Sequence, residues 1–371
     1  MKVLMRDAFL PGNQYALELC KSLSDNVDVM LLCKRDAGDI EDEIPCKKII
    51  YAAGRNKIDS VCKYIFSIYR EMLEIRKGAY NVYHIQSYKN LLFEIPLFYY
   101  AKRKCDCVVT TVHNVLPHEV SKTDWRLHDY WYKLSDVLIV HNEATRKCLI
   151  EQFPDSQEKI QIVPHGTYTR GFVTNSKPKE SGGKKKFLLF GQIRPYKGID
   201  VLIKAVTLMS QTTRNKIQIL IVGGQHPKQD STDYKAMIQS AKIEDCVDFQ
   251  KRRVPDEDLP GLFENTDFVL FPYKEIYGSG ALLMSYTYEK PVIASDVPAF
   301  VEETNGGQTG LLFRTENPED LARCIENAVD VDIEEYEKYR IAIRRLVEEK
   351  YNWKVSAKKL KEIYNAAIHI R

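Results

Sequence analysis

The sequence predicts an α/β chain of two Rossmann-like domains, each a parallel sheet covered by helices. Three observations carry this. Short β-branched runs alternate with helical patterns along the chain. A polar stretch at 174–186, TNSKPKESGGKKK, interrupts the alternation once and contains nothing that builds a core. The length, 371 residues, is too great for one ordinary core and comfortable for two.

The first series of strands is expected at 3–5, 27–32, 82–85, 108–112, 137–140 and 160–163. Helical patterns such as 58–76 and 143–152 separate most of them. The second series is expected at 187–190, 217–222, 247–250, 268–272 and 292–295. This sets domains at 1–173 and 187–352, with 174–186 as the linker. The tail at 353–371 carries Val355, Leu360, Ile363, Tyr364 and Ala367 at helical spacing, so an amphipathic terminal helix is expected at 353–370. In such sheets ligands bind outside the carboxyl ends of the strands. Two facing sheets would put a cleft between them.

Composition narrows the class. Apolar residues make up 44% and charged residues 28%, as in a folded globular chain. A net charge of +3 argues against a dedicated nucleic-acid binder. No apolar run is long enough to span a bilayer. The opening MKVLMRDAFLPGNQ reads as a strand and a loop, not a leader, so a cytoplasmic protein is expected. The nine cysteines are scattered, and the close pair Cys105 and Cys107 falls in an expected strand. Neither a CxxC motif nor a zinc spacing occurs, so reduced thiols and no metal are expected.

Two loops suit phosphate. In FLLFGQIRPYKGIDVLIKA, at 187–205, a strand ends at Gly191, Arg194 and Lys197 follow, and Gly198 opens a helix. Arginine forks onto two oxygens and lysine supplies a point charge, a pairing that fits a diphosphate. The plain alternative is two solvated cations. In FVLFPYKEIYGSGALLMSYTYEKPVIAS, at 268–295, a loop with Glu275 reaches Gly278, Ser279 and Gly280, and a helix begins near Ala281. Ser279 is a natural N-cap, and the exposed amides with the positive helix end make an anion site. An ordinary capped turn is the alternative. If both strands lie in one sheet, the loops converge on one edge.

Histidines mark the first domain. His113 ends the strand in TTVHN, and His84 and His141 are read as ending two others. A satisfied strand-end histidine is the bland reading. Gly12 and Asn13 precede a helix at 15–23, where Asn13 also suits a simple N-cap. Tyr64, Ile65, Ile68, Tyr69 and Met72 recur at helical spacing among Lys63, Arg70, Arg76 and Lys77, and LFYYAKRK follows at 97–104. These runs suit peripheral contact with anionic lipid at the inner face of the membrane, or else a core-facing helix with solvated cations.

Together the segments GQIRPYKGIDVLIKA, FVLFPYKEIYGSG, EKPVIASDVPAFVEE, GQTGLLF and NPEDLARCIENAV resemble the C-terminal half of retaining GT-B glycosyltransferases of the family 4 type. Ile162-Val163-Pro164-His165-Gly166 matches the family's IVP-x-G. Trp353, Ala357, Leu360, Ile363 and Tyr364 match its terminal helix, which in the family crosses back to the N-terminal domain. The resemblance covers nearly the whole chain and is densest after Phe187.

The resemblance implies a GT-B fold and a hexosyltransferase. It implies transfer from a nucleotide-diphosphate sugar to a glycan or lipid-linked acceptor in cell-surface polysaccharide synthesis, with no cofactor and no metal. Arg194 and Lys197 would bind the donor diphosphate and stabilise its departure. The amides of Ser279, Gly280 and Ala281 would cap the distal phosphate, and Arg253 and Val254 would cradle the base. His113 would face the reacting centre, with Gly12, Asn13 and His84 on the acceptor side. One departure stands out. The family's two glutamates fall here at Ile276 and Met284, with Glu275 one residue early as a substitute for the first. A catalytically inactive nucleotide-sugar-binding or scaffold subunit and a GT-B epimerase are the competing expectations. An epimerase should show an acid/base carboxylate set, and the loops show none.

Overall fold

The computed structural model describes residues 1–10, 14–51, 54–116, 122–168 and 183–369. The chain forms two compact units. One is Met1–Gly166 together with Lys350–Arg371, and the other is Thr167–Glu349.

The first unit contains β1 (Lys2–Arg6), β2 (Asp28–Lys34), β3 (Cys46–Ile50), β4 (Val82–Ile85), β5 (Cys107–Thr111), β6 (Val137–Val140) and β7 (Ile160–Ile162). They pair in parallel in the order β3-β2-β1-β4-β5-β6-β7. Helices cover a parallel sheet on both faces, which is why β4, β5 and β6 are buried throughout. On one face Val3, Met5, Leu31 and Val109 form a core with Leu17, Leu360 and Tyr364. The last two belong to helix Trp353–Ile368.

The end of β1 also carries a buried ion cluster. Arg6 Nε lies 2.8 Å from Glu71 and its Nη2 3.0 Å from Glu94, with all three side chains sealed from water. Burial pushes the Glu71 carboxyl above its ordinary range against the opposing pull of Arg6.

The second unit contains β8 (Lys185–Phe190), β9 (Ile217–Val222), β10 (Val247–Gln250), β11 (Phe268–Phe271), β12 (Val292–Ser295) and β13 (Gly310–Phe313). Their order is β10-β9-β8-β11-β12-β13, again parallel. Its core gathers Leu202, Ile219, Ile221, Phe268, Ile293 and Ile325.

Several expectations need correction. Lys185 and Lys186 open β8 and are not linker: their backbones register with Ile217 and Gln218, and Lys185 Nζ reaches the Val331 carbonyl at 3.2 Å. Residues 174–182 of the expected linker lie outside the described residues. Cys105 caps helix Leu91–Lys104, so only Cys107 is in the strand. Two edge strands were not expected. β3 begins Cys-Lys-Lys and is only half-buried there. β13 starts at Gly310, where a Cβ would fall 2.0 Å from the Val292 carbonyl oxygen.

Both sheets reverse direction beside their first strand, between β1 and β4 and between β8 and β11. In open parallel sheets that reversal opens a crevice at the carboxyl edge.

Candidate functional site

The loops after β8 and β11 meet at the second unit's reversal point. The strands are neighbours, with Phe268 beside Phe187 and Val269 beside Leu188. The Lys274 amide donates to the Tyr196 carbonyl at 2.7 Å. Gly198 has φ +66°, and a Cβ there would lie 1.8 Å from the Pro272 carbonyl oxygen. Only glycine lets the two backbones approach so closely.

Lys197 sits at this junction. It is 5% exposed. Its Nζ donates to the Phe190 carbonyl at 3.1 Å and lies 5.1 Å from the centre of the Tyr273 ring. Burial, with a smaller contribution from the charge of Arg194, pushes the ammonium down to about 7. A cation held this way beside a second cation is poised for an anion. Arg194 is half-buried and satisfies one nitrogen locally, at 3.3 Å from the Ile193 carbonyl.

Across the junction, Ser279 caps helix Gly280–Thr287, its Oγ accepting from the Leu282 amide at 3.2 Å. The first-turn amides of Gly280 and Ala281 have no partner within the helix by construction, and they carry its positive end. A Cβ on Gly280 would come within 2.7 Å of the Tyr168 hydroxyl, so this helix start is crowded by an aromatic. Residue type alone gave no signal for Tyr168 or for the Tyr273 ring beside Lys197.

Glu275 is exposed on the same loop. Burial pushes the Tyr196 phenol up, with Arg194 drawing it down and Glu275 adding to the rise. Ile276 and Met284 are half-buried. Arg253 and Val254 follow β10, the edge strand separated from β8 by β9. They share the carboxyl edge of the sheet, with Arg253 exposed and Val254 half-buried.

In the first unit, His113, His141 and His165 follow β5, β6 and β7 and gather around Tyr15. Its ring centre lies 4.9, 5.1 and 4.7 Å from theirs. His141 Nδ1 lies 3.0 Å from the Val163 carbonyl, which only accepts, so this nitrogen carries the proton. The other nitrogen of neutral His141 then accepts from His113 Nδ1 at 3.2 Å. Burial holds His141 down to about 4. It also holds His113 well below its ordinary value, helped by the neighbouring imidazoles. Neutral His113 is therefore left with Nε2 as a fixed acceptor. In a His141→Phe variant, ring nitrogen shifts should show His113 changing from one tautomer to a mixture. An unchanged pattern would remove His141 from this role.

His84 does not join this group. It is the third of four residues in β4, not its end, and it is wholly buried. Its nitrogens meet the Tyr364 hydroxyl and Thr111 Oγ1, the latter at 2.8 Å. The structure thus gives it a packing role in place of the expected acceptor contact. Gly12 and Asn13 lie outside the described residues. Among the described residues no cluster of three or more His, Cys, Asp or Glu is arranged to hold a metal ion. Nor is any helix there long and apolar enough to cross a membrane.

Residues 173–346 match the family model for glycosyl transferases group 1, and residues 12–170 match that for glycosyltransferase family 4. The chain is 27% identical over 293 residues to a D-inositol 3-phosphate glycosyltransferase of Corynebacterium aurimucosum, covering 75% of this chain and 68% of the relative. It is 28% identical over 220 residues to a GDP-mannose:glycolipid 4-beta-D-mannosyltransferase of Xanthomonas campestris pv. campestris, covering 58% and 57%. Further inositol-phosphate relatives are spanned over only 55% to 58% of their length.

Two solved structures share the fold. Sucrose-phosphate synthase of Thermosynechococcus elongatus has a TM-score of 0.77 at 16% identity, covering 100% of both chains. Anabaena HepE, in complex with UDP and glucose, has a TM-score of 0.74 at 16% identity, covering 99% of this chain and 100% of its own. On its sequence and its fold, this chain belongs to the group 1 glycosyltransferases of GT-B architecture.

Proposed function

We propose that this protein moves a sugar from a nucleoside-diphosphate sugar to a hydroxyl of a glycan or lipid-linked acceptor, with retention of configuration. The setting we propose is cell-surface polysaccharide synthesis at the cytoplasmic face of the membrane. The observation that carries the reading is Lys197, a buried ammonium beside Arg194 at the junction of two loops. The relatives support the donor class: one is described with GDP-mannose and another with UDP and glucose.

In the transfer, the bond from the anomeric carbon to the diphosphate oxygen breaks as the acceptor oxygen bonds that carbon on the same face. The acceptor proton passes to the departing phosphate. Arg194, Lys197 and the amides of Ser279, Gly280 and Ala281 meet the charge that develops there. These groups neutralise the diphosphate, so the reading requires neither metal nor cofactor. His113 accepts a sugar hydroxyl at Nε2, Glu275 holds another, and Arg253 with Val254 flanks the base.

The test is thermal stabilisation by UDP, GDP, ADP, CDP and dTDP, with and without magnesium, on the native protein and on Lys197→Ala. One or two nucleotides should raise the melting temperature without magnesium, and the variant should lose the rise. Ligand at about a hundredfold over its Kd adds about 2.7 kcal/mol. No shift with any nucleotide overturns the donor site. A shift without product from the matching sugar nucleotide would instead make the protein a binding subunit. The anomeric signal of the product decides retention.

A further inference from the structure

Helix Lys57–Gly78 buries two polar residues, Ser67 and Glu71, and turns a stripe of apolar residues outward. Tyr64, Ser67, Ile68, Glu71 and Ile75 are buried. Ile58, Val61, Ile65, Phe66 and Tyr69 are exposed by 77%, 45%, 50%, 50% and 55%. These five positions fall in one stripe at helical spacing. An ordinary surface helix presents charged and polar residues at such outward positions. The inward polarity is explained by Arg6, which Glu71 neutralises. The outward stripe has no such explanation within the fold.

The adjoining helix, Leu91–Lys104, also leaves apolar residues outward. It buries Leu91, Glu94, Leu97 and Phe98. It exposes Leu92, Phe93 and Tyr99 by 61%, 41% and 46%. Tyr64, buried in the first helix, packs edge to face with Phe93 at a centroid distance of 6.4 Å, so the two helices meet there. Apolar residues scattered singly on a surface are ordinary, but a contiguous two-helix face marks an interaction.

Charge selects the partner. The two helices carry four carboxylates, and each is engaged. Glu71 and Glu94 face Arg6, Asp59 is 2.8 Å from Lys63, and Glu74 is 2.6 Å from Lys47. Lys57, Arg76, Lys77, Arg103 and Lys104 are exposed. Arg103 and Lys89 lie over the Tyr99 and Tyr64 rings, at 5.4 and 5.6 Å from their centres. The result is an apolar and aromatic face with a positive rim.

We propose that the outward faces of helices Lys57–Gly78 and Leu91–Lys104 dock the protein on an anionic lipid bilayer. The apolar stripes enter the boundary between headgroups and acyl chains, and the rim cations meet lipid phosphates. This docking is independent of the donor site.

The experiment is vesicle flotation with the full chain. The native protein should float with vesicles of equal parts phosphatidylglycerol and phosphatidylcholine, and not with phosphatidylcholine alone. Binding should weaken as salt is raised. The pair Phe66→Gln and Tyr69→Gln, both at exposed positions, should weaken binding by about tenfold or more. The pair Arg103→Glu and Lys104→Glu should do the same through charge. Ile341→Gln changes an equally exposed residue, at 55%, of the second unit and should leave binding unchanged. No flotation, or flotation indifferent to both pairs, overturns the proposal. So does a native dimer in light scattering that Phe66→Gln with Tyr69→Gln dissociates, because the face would then join two copies. The melting shift with nucleotide should survive in both pairs, which separates failure of docking from failure of the donor site.

Discussion

Replacing Lys197 with methionine should lower the transfer rate by about two to three orders of magnitude, the usual effect of removing one group that stabilises transition-state charge. The same change should make the unliganded protein more stable. The Lys197 ammonium is pushed down to about 7 by burial, from an ordinary 10.5. Between those values the unfolded chain binds more protons than the folded one, so stability rises with pH across that window. The native protein is therefore penalised most below pH 7. Relative to Lys197→Met, it should recover as pH climbs toward 10.5.

Donor binding should show the converse. Only the ammonium form suits a diphosphate, so binding takes up a proton. A sugar nucleotide is the probe to use, because its diphosphate diester does not itself titrate near neutrality. Its Kd should be flat below about pH 6 and weaken by about tenfold per unit above the lysine's value. Titration calorimetry in buffers of different ionisation enthalpy would count the proton. A Kd that is level from about pH 6 to about pH 9 would remove Lys197 from the diphosphate.

Gly198→Ala should be among the most damaging single-methyl changes in the second unit. The residue has φ +66°, and the new carbon would lie 1.8 Å from the Pro272 carbonyl oxygen. Neither partner is a flexible side-chain end, so one backbone must move. A loss of about 3 kcal/mol or more is expected, from left-handed strain and the clash together. Nucleotide binding should fall even below the melting temperature, because the loop bearing Lys197 separates from the loop that leads to Ser279. Gly224→Ala is the control, since a Cβ there meets nothing within 4 Å. Equal melting curves for both variants would show that the junction is not held by this contact.

How much of this was legible depended on where the signal lay. Strands such as β9, IQILIV, declare themselves because burial on both faces demands apolar residues at nearly every position. β3 escapes because its half-exposed start accepts Lys47 and Lys48, and β8 starts early because lysine backbones pair as well as any. At the junction of the two loops, Arg194, Lys197 and Ser279 were readable as types at a spacing. The burial that depresses Lys197 was not, since it depends on Tyr273 from another loop. His84 looked like its two counterparts in sequence, His113 and His141, yet one position short of a strand end places it inside the fold. The partners of Arg6 are 65 and 88 residues away, beyond any local pattern.

The return of the last helix to the first unit has a consequence for synthesis. Tyr15, His84 and Gly166 emerge from the ribosome long before Trp353 and Tyr364. Yet a Cβ on Gly166 would touch the Trp353 ring at 2.3 Å, and His84 bonds the Tyr364 hydroxyl. The second unit is one uninterrupted segment, Thr167–Glu349, and is complete in the nascent chain before those partners exist. The half translated first is thus the half that closes last. Until helix Trp353–Ile368 has emerged, it exposes the groove that this helix will fill, so nascent chains stalled before Trp353 should present this protein's largest demand on chaperones.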